Sequence, residues 1–431
     1  MRVAIVTLGC KVNQYESRAL QEALERRGHL VVPVEGAPDV VIVNSCTVTH
    51  RSDRDTRAWV RRARRSRPGV RVVVTGCYAQ VDPEALRALG VDAVVGTADR
   101  SSVPDLVERG WSGVRVARVD RVRPLEPEPV SRFTGRARAF LKVQDGCEAF
   151  CAYCIVPYAR GPSRSLPLED VEAGLVRLRE AGHREVVLTG VHLGLWGRDL
   201  VPPKSLEDLL AVAERSGVPR IRLSSLEPQE IGEALICRLS RSDVLCPHLH
   251  IPLQSGSDRV LAAMGRPYRV GAFRRLVERL ARSVPGICLG LDVIVGFPGE
   301  SEEDFRDTVD LLEALPVAYL HVFPFSPRKG TRAYTMAGRV PEAEVGRRAR
   351  ILRELSARKR EAFWKSQRGR ILPALAEGGD GEGWLRFRTR NYVPVRVRWV
   401  GEPPGHEVRV RLEAVRNGWV EGTVMGPARG G

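Results

Sequence analysis

The sequence predicts an α/β protein in three successive parts: an N-terminal doubly wound parallel α/β domain, a partial (β/α)6 barrel and a small C-terminal all-β barrel. Three observations predict it. Short apolar runs alternate with helical patterns from Val3 onward, and six more strand candidates, each followed by a helical stretch, fill the middle. After the last long helix the pattern changes to strict alternation of apolar and charged residues. A chain of 431 residues exceeds what one hydrophobic core usually spans, in keeping with this division.

The first strands are VAIVTL (Val3 to Leu8), VVIVNS (Val40 to Ser45) and VVVTG (Val72 to Gly76). Between them, Gln14 to Arg27 repeats apolar residues at helical spacing and stops at Gly28, and Asp53 to Ser66 forms a second helix before Pro68-Gly69. This rhythm predicts a parallel sheet with right-handed crossovers over residues 1–119. Asp120 to Gly135 carries three prolines and no hydrophobic period, so 120–135 reads as a linker. The barrel occupies 136–367, with strands beginning near Phe140, Val186, Ile221, His248, Leu291 and Tyr319 and a basic amphipathic helix from about Glu342 to Gln367. In 368–431 the strands are Trp384 to Arg390, Val395 to Trp399 and Val408 to Leu412.

The net charge of +16 comes almost wholly from arginine, since lysine appears only at Lys11, Lys142, Lys204, Lys329, Lys359 and Lys365. Guanidinium forks bind phosphate bidentately and stack on bases, which points toward nucleic acid; a proteome-wide arginine bias is the alternative. No apolar run is long enough to cross a bilayer and none at the start suits a signal peptide, so a cytoplasmic protein without a membrane partner is expected. In a reducing compartment an odd set of nine cysteines reads as metal ligands or buried thiols.

CEAFCAYC places Cys147, Cys151 and Cys154 on a loop after the first barrel strand. Three thiolates so spaced can hold a 4Fe-4S cube and leave one iron open to a substrate or cofactor. Zinc is the rival, but structural zinc takes four ligands and no fourth Cys or His stands at short fixed spacing. Cys10, Cys46 and Cys77 each follow one of the first three strands, so in a parallel sheet they converge on one crevice. Three small residues ending core strands is the plainer reading. Cys237, Cys246 and Cys288 show no ligand spacing, and Cys237 and Cys288 are expected to be buried packing residues.

The loop CEAFCAYC resembles the CxxxCxxC loop of radical S-adenosylmethionine enzymes, with Tyr153 at the usual aromatic position. GCKVNQYES, NSCTVT and TGCYAQ resemble the three-cysteine domain of the methylthiotransferases, and RGPSRS, TGVHLG, LSSLEP, HIPLQSGS, DVIVGFPGE and FPFSPRKGT extend the resemblance along the chain. KVNQYE is most similar to the branch of the family that modifies N6-threonylcarbamoyladenosine in tRNA. The resemblance implies a radical SAM barrel, a TRAM-like RNA-binding end domain, S-adenosylmethionine and two 4Fe-4S clusters. The cluster at Cys147, Cys151 and Cys154 would cleave the cofactor, and that at Cys10, Cys46 and Cys77 would present sulfur to C2 of the adenosine at position 37. One departure is Thr189-Gly190-Val191, where many radical enzymes carry Gly-Gly-Glu.

Tyr153, Gly190, Ser224, Glu227, His250, Gln254 and Asp292 are the expected cofactor contacts, the last five because they fall at or near strand ends; caps and loop hydrogen bonds would place polar residues there equally. Glu300 reads more simply as part of a helix start capped by Ser301. Arg386, Arg388, Arg390, Arg396 and Arg398 alternate on strand faces and are the expected tRNA contacts; solvated outer-face arginines are the alternative. The expected partners are the tRNA anticodon stem-loop and an electron donor such as flavodoxin or ferredoxin, and not DNA. Methylthiolation of N6-isopentenyladenosine, methylthiolation of a ribosomal-protein aspartate, and a non-catalytic iron-sulfur sensor remain as rival readings.

Overall fold

The computed structural model describes residues 1–120, 124–379, 383–416 and 418–428; residues 121–123 of the expected linker, and 380–382, 417 and 429–431 of the expected end domain, lie outside the described residues. Val40 to Ser45 is buried along its whole length, as a strand flanked on both edges and covered on both faces must be. It belongs to a six-stranded sheet made of β1 (Arg2–Thr7), β2 (Leu30–Val31), β3 (Val40–Ser45), β4 (Arg71–Gly76), β5 (Ala93–Val95) and β6 (Gly113–Arg115). All pairs are parallel, in the order β2-β1-β3-β4-β5-β6. The order reverses between β1 and β3, which opens a crevice at their C-terminal ends. Helices α1 (Lys11–Arg26), α2 (His50–Ser66), α3 (Cys77–Val81), α4 (Pro83–Arg87) and α5 (Val103–Glu108) complete this part.

The described part of the expected linker is irregular but not loose. Leu125, Val130 and Phe133 are buried in the main core, and the Tyr15 hydroxyl donates to the Glu128 carbonyl at 2.5 Å. Six parallel strands then form two trios: β7 (Arg138–Lys142) with β10 (Glu185–Thr189) and β11 (Arg220–Leu223), and β12 (His248–Gln254) with β13 (Cys288–Val295) and β14 (Tyr319–Pro324). A bridge from Ile221 to Leu245 joins them. The short pair β8 (Gln144–Asp145) and β9 (Arg164–Ser165) frames the cysteine loop. Helices α6 (Val156–Arg160), α7 (Leu168–Glu180), α8 (Leu206–Arg215), α9 (Glu233–Arg241), α10 (Asp258–Met264), α11 (Val270–Ser283) and α12 (Glu302–Ala314) follow the strands. Leu141, Val186, Leu188, Ile221, Leu223, Leu249, Ile251, Leu289 and Leu291 join the helix-side core. Their neighbours of opposite parity, Arg138, Glu185, Arg222, His250, Asp292 and His321, face the lumen.

The barrel is open between β7 and β14, and the N-terminal sheet domain spans that gap. On the β7 side Lys142 meets Glu16 at 3.3 Å; on the β14 side Arg328 donates to Thr47 and Asp53, each at 2.6 Å. A 25-residue helix, α13 (Glu342–Ser366), packs along β14 and leads to a closed barrel of β15 (Ile371–Gly379), β16 (Trp384–Thr389), β17 (Pro394–Arg398), β18 (Val408–Arg416) and β19 (Trp419–Pro427), in the order β15-β16-β17-β19-β18. Strands β15 and β19 escaped the sequence pattern because Pro373 and Gly422 interrupt their alternation. This end barrel docks on the N-terminal ends of the middle strands. Arg220 donates to the Arg388 and Thr389 carbonyls and Arg222 to that of Arg390. Among the described residues no helix is long and apolar enough to cross a membrane.

Candidate active site

The crevice at the strand-order reversal gathers the first three cysteines, since Cys10, Cys46 and Cys77 follow the ends of β1, β3 and β4. Two glycines make the approach possible. Gly9 has φ +92°, and a Cβ on it would lie 2.6 Å from Cys46 Cβ; Gly76 has φ +93°, and its Cβ would meet the Ser45 carbonyl at 2.4 Å. Cys46 and Cys77 are buried and Cys10 is exposed. Burial pushes the Cys77 thiol up to about 12, against the opposing charge of Arg160. Such thiols stay protonated until a metal displaces the proton.

The second triad lies on the loop between β8 and α6. Ala152 N–H donates to the Met264 carbonyl at 2.8 Å and Ala333 N–H to the Ala152 carbonyl at 2.7 Å, which pins the loop between Cys151 and Cys154. Burial raises Cys154 to about 12. His192 Nδ1 stands 3.3 Å from Cys147 Sγ, with its other nitrogen 2.6 Å from Glu230, and Arg266 donates to Cys151 Sγ at 3.2 Å. Four sulfurs around one zinc ion would sit about 3.8 Å apart. Among the described residues the ligand atoms of His250, Asp292 and His321 form the one such group lying within 4.8 Å of one another, so neither cysteine triad is drawn together as a site for a single ion. Cys246 and Cys288 are buried as thiols apart. Cys237 is exposed, contrary to expectation, because α9 turns Leu235, Ile236 and Leu239 inward and leaves position 237 outside.

Between the triads α3 packs against α6, and a buried ionic network ties the two domains. Arg160 at the end of α6 reaches Glu16 at 2.8 Å, Asp145 at 2.9 Å and Asn13 Oδ1 at 2.7 Å. Glu16 also meets Arg100 at 3.0 Å, and Glu128 joins Arg100 and Lys142. Burial opposes ionisation of Glu16, but Arg100, Arg160 and Lys142 outweigh it and hold the carboxyl at about 2.

A cavity of about 200 Å³ lies where the domains meet the barrel mouth, lined by Thr49, Tyr153, Cys154, Gln254, Asp292 and Phe323. Gln254 is held at φ +68° and buried, with its Oε1 unpartnered. His250 donates to Asp292 at 2.7 Å and stacks on His321 at 4.7 Å. Gly190 N–H donates to Ser224 Oγ at 3.4 Å, and Gly190 has Gln144 Oε1 where a Cβ would stand. Glu227 does not face this cavity; it pairs with Arg266, and burial raises its carboxyl. Glu300 accepts from Gly296 N–H at 2.6 Å and Arg348 at 2.7 Å, beside a helix capped by Ser301. Sequence reading missed Lys11, Arg160, His192, Arg266 and His321, although His192 stands in TGVHLG and His321 alternates with apolar neighbours in YLHVFP.

The five terminal arginines divide. Arg396 and Arg398 stack on Trp384 at 4.6 and 4.2 Å, and Arg386, opposite Arg396 on β16, is exposed. Arg388 and Arg390 turn instead toward the domain junction, bound to Glu377 at 3.0 Å and Glu407 at 2.6 Å.

Residues 141–312 match the Radical SAM superfamily, and residues 2–96 match a family described as uncharacterized protein family UPF0004. The threonylcarbamoyladenosine tRNA methylthiotransferase MtaB of Thermotoga maritima is 37% identical over 99% of both chains, and that of Bacillus subtilis is 38% identical over 95% of this chain and 93% of its own. This chain belongs to the tRNA methylthiotransferase family. A second branch is near: the tRNA-2-methylthio-N(6)-dimethylallyladenosine synthase of Bartonella quintana is 33% identical over 92% of this chain and 90% of its own. Among solved structures, the radical S-adenosylmethionine methyltransferase TsrM of Kitasatospora setae aligns with a TM-score of 0.58 at 18% identity, covering 77% of this chain and 74% of its own, and shares the fold.

Proposed function

We propose that the protein installs a methylthio group at C2 of N6-threonylcarbamoyladenosine, at position 37 of the tRNA anticodon stem-loop. It does so with S-adenosylmethionine and two 4Fe-4S clusters, one held by Cys10, Cys46 and Cys77 and the other by Cys147, Cys151 and Cys154. The observation that carries this reading is the meeting of two groups of three thiols at one domain junction. When bound, the clusters and S-adenosylmethionine supply the one-electron and radical chemistry that opens an aromatic C–H bond, for which no side chain has the strength.

The chain's own residues bind, orient and shield. Arg266 and His192 direct charge-assisted hydrogen bonds at the sulfurs of Cys151 and Cys147, which fixes their orientation. Tyr153, Gln254 and Asp292 line the cavity at the barrel mouth where the nucleoside cofactor binds, His250 orients Asp292, Gly190 and Ser224 contact the cofactor from the ends of β10 and β11, and Glu227 acts there through Arg266. Burial works to raise the Asp292 carboxyl, and the hydrogen bonds from His250 and His321 outweigh it, so it stays ionised as an acceptor. Tyr392 closes the far end of the lumen against water, its ring 4.4 Å from that of His248 and its face under Arg222 and Arg388. Arg386, Arg396 and Arg398 hold the tRNA backbone, while Arg388 and Arg390 fix the end barrel in place. Residues 1–119, 136–367 and 368–431 act as three domains of a cytoplasmic enzyme that draws electrons from a flavodoxin or ferredoxin.

Nucleoside mass spectrometry of tRNA from cells with and without the gene tests the proposal. Loss of 2-methylthio-N6-threonylcarbamoyladenosine is expected. Loss of the dimethylallyl derivative instead, or of neither, overturns it.

A further inference from the structure

Barrels of this kind are ordinarily filled by layers of branched apolar side chains. This lumen is charged. Toward its lower end six cations, Lys11, Arg138, Arg220, Arg222, Arg388 and Arg390, stand among the three carboxylates of Glu185, Glu377 and Glu407. The five arginines are tied. Arg138 and Arg388 each meet Glu377 at 3.0 Å, Arg220 and Arg222 meet Glu185 at 2.6 and 2.8 Å, and Arg390 meets Glu407.

Lys11 differs from all of them. It opens α1 of the N-terminal domain directly after Cys10, yet its electrostatic neighbours are Tyr392, Arg138, Arg222 and Asp292, and its charge is felt at His248. The ammonium therefore reaches into the barrel from the domain that closes its open side. Among the described residues no carboxylate lies within ion-pair distance of it, and its side chain is exposed. Asp292 does not serve as its partner, because His250 and His321 stand at 2.7 and 3.4 Å from Asp292 Oδ1. A cation in a net-positive lumen, with no carboxylate of its own among the described residues, is half of an ion pair.

The substrate supplies the other half. In adenine, C2 and C6 both flank N1, so a group on N6 projects along the same edge as C2. A base presented with C2 toward the Cys10 site thus brings its N6 substituent close to the residue next to Cys10. We propose that Lys11 binds the carboxylate of the threonyl group, within the positive field of Arg138 and Arg222. This rests on the function proposed above and adds the group that selects the substrate. An apolar N6 substituent would leave the ammonium desolvated and unpaired, which rejects it.

Anaerobically reconstituted enzyme is tested for equilibrium binding of three anticodon stem-loops. They carry N6-threonylcarbamoyladenosine, its threonyl methyl ester and N6-dimethylallyladenosine. Wild type binds the acid about tenfold to a hundredfold more tightly than the ester, the range of a charge-assisted hydrogen bond. Lys11→Met binds the acid no better than the ester, and Lys11→Arg recovers part of the difference. If Lys11→Met weakens acid and ester equally, the lysine holds an RNA phosphate or the fold, and the proposal fails. It fails also if wild type does not separate acid from ester, a comparison that needs no variant to fold. Acid-over-ester selectivity without any methylthio product would leave the carboxylate site standing and overturn the function instead.

Discussion

Replacing Arg160 by methionine should loosen the junction between the two cysteine triads while leaving the rest of the barrel folded. The guanidinium is fully buried and makes bonds of 2.7 to 3.1 Å to Asn13, Glu16 and Asp145, two of which lie on α1. Removing one partner from such a buried set costs about 3–5 kcal/mol, because the carboxylates left behind remain desolvated. Arg100 and Lys142 still serve Glu16, and Lys142 and Arg164 still serve Asp145, so the lower end of that range is expected. Hydrogen exchange read by mass spectrometry gives the local free energy directly: about 3 kcal/mol is roughly a hundredfold faster exchange. Peptides over Lys11–Arg26 and Cys77–Val81 should show it, and Leu206–Arg215 on the far side should not. The pH sign follows from Glu16. Its ionised form stabilises the folded junction above the ordinary value of 4.5, and this contribution is lost as pH falls toward about 2; without Arg160 the contribution is smaller and its loss is complete at higher pH. Unchanged protection in α1, or an equal loss in α8, would refute the reasoning.

Gly76→Ala should cut iron in reconstituted protein from about eight to about four atoms per chain, since at φ +93° a Cβ meets the Ser45 carbonyl beside Cys77. Full iron content would contradict it. Charge removal at Arg386, Arg396 and Arg398 should flatten the slope of log affinity for tRNA against log salt by about 2, whereas Arg388→Gln and Arg390→Gln should leave the slope and raise exchange at the docking surface of the end barrel.

What sequence reading saw and missed follows from the range of the interactions. Cys10, Cys46 and Cys77 were legible because apolar strands of period and length suited to a parallel sheet end just before them, and topology alone then brings them together. Cys147, Cys151 and Cys154 needed only local spacing. Arg160 and Glu16 were silent because their pairing joins residues 144 apart, and nothing in either neighbourhood announces it. Arg388 and Arg390 share a strand face with Arg386, but Glu377 and Glu407 from elsewhere claim them, so alternation could not tell docking arginines from exposed ones. The lumen was half legible. RIRL and YLHVFP alternate, yet which parity faces inward is decided by the helices that bury Ile221, Leu223 and Leu320.

The central claim is that each triad holds its own cluster and performs its own task. Three reconstituted proteins test it: wild type, the Cys10→Ala, Cys46→Ala, Cys77→Ala variant, and the Cys147→Ala, Cys151→Ala, Cys154→Ala variant. Each is assayed with reductant and S-adenosylmethionine for iron, for 5'-deoxyadenosine and for the methylthio nucleoside. The first variant should keep about half of the iron and still release 5'-deoxyadenosine but form no methylthio product, while the second should keep about half of the iron and lose both activities. Methylthio product from the first variant, or loss of 5'-deoxyadenosine in it, would contradict the account.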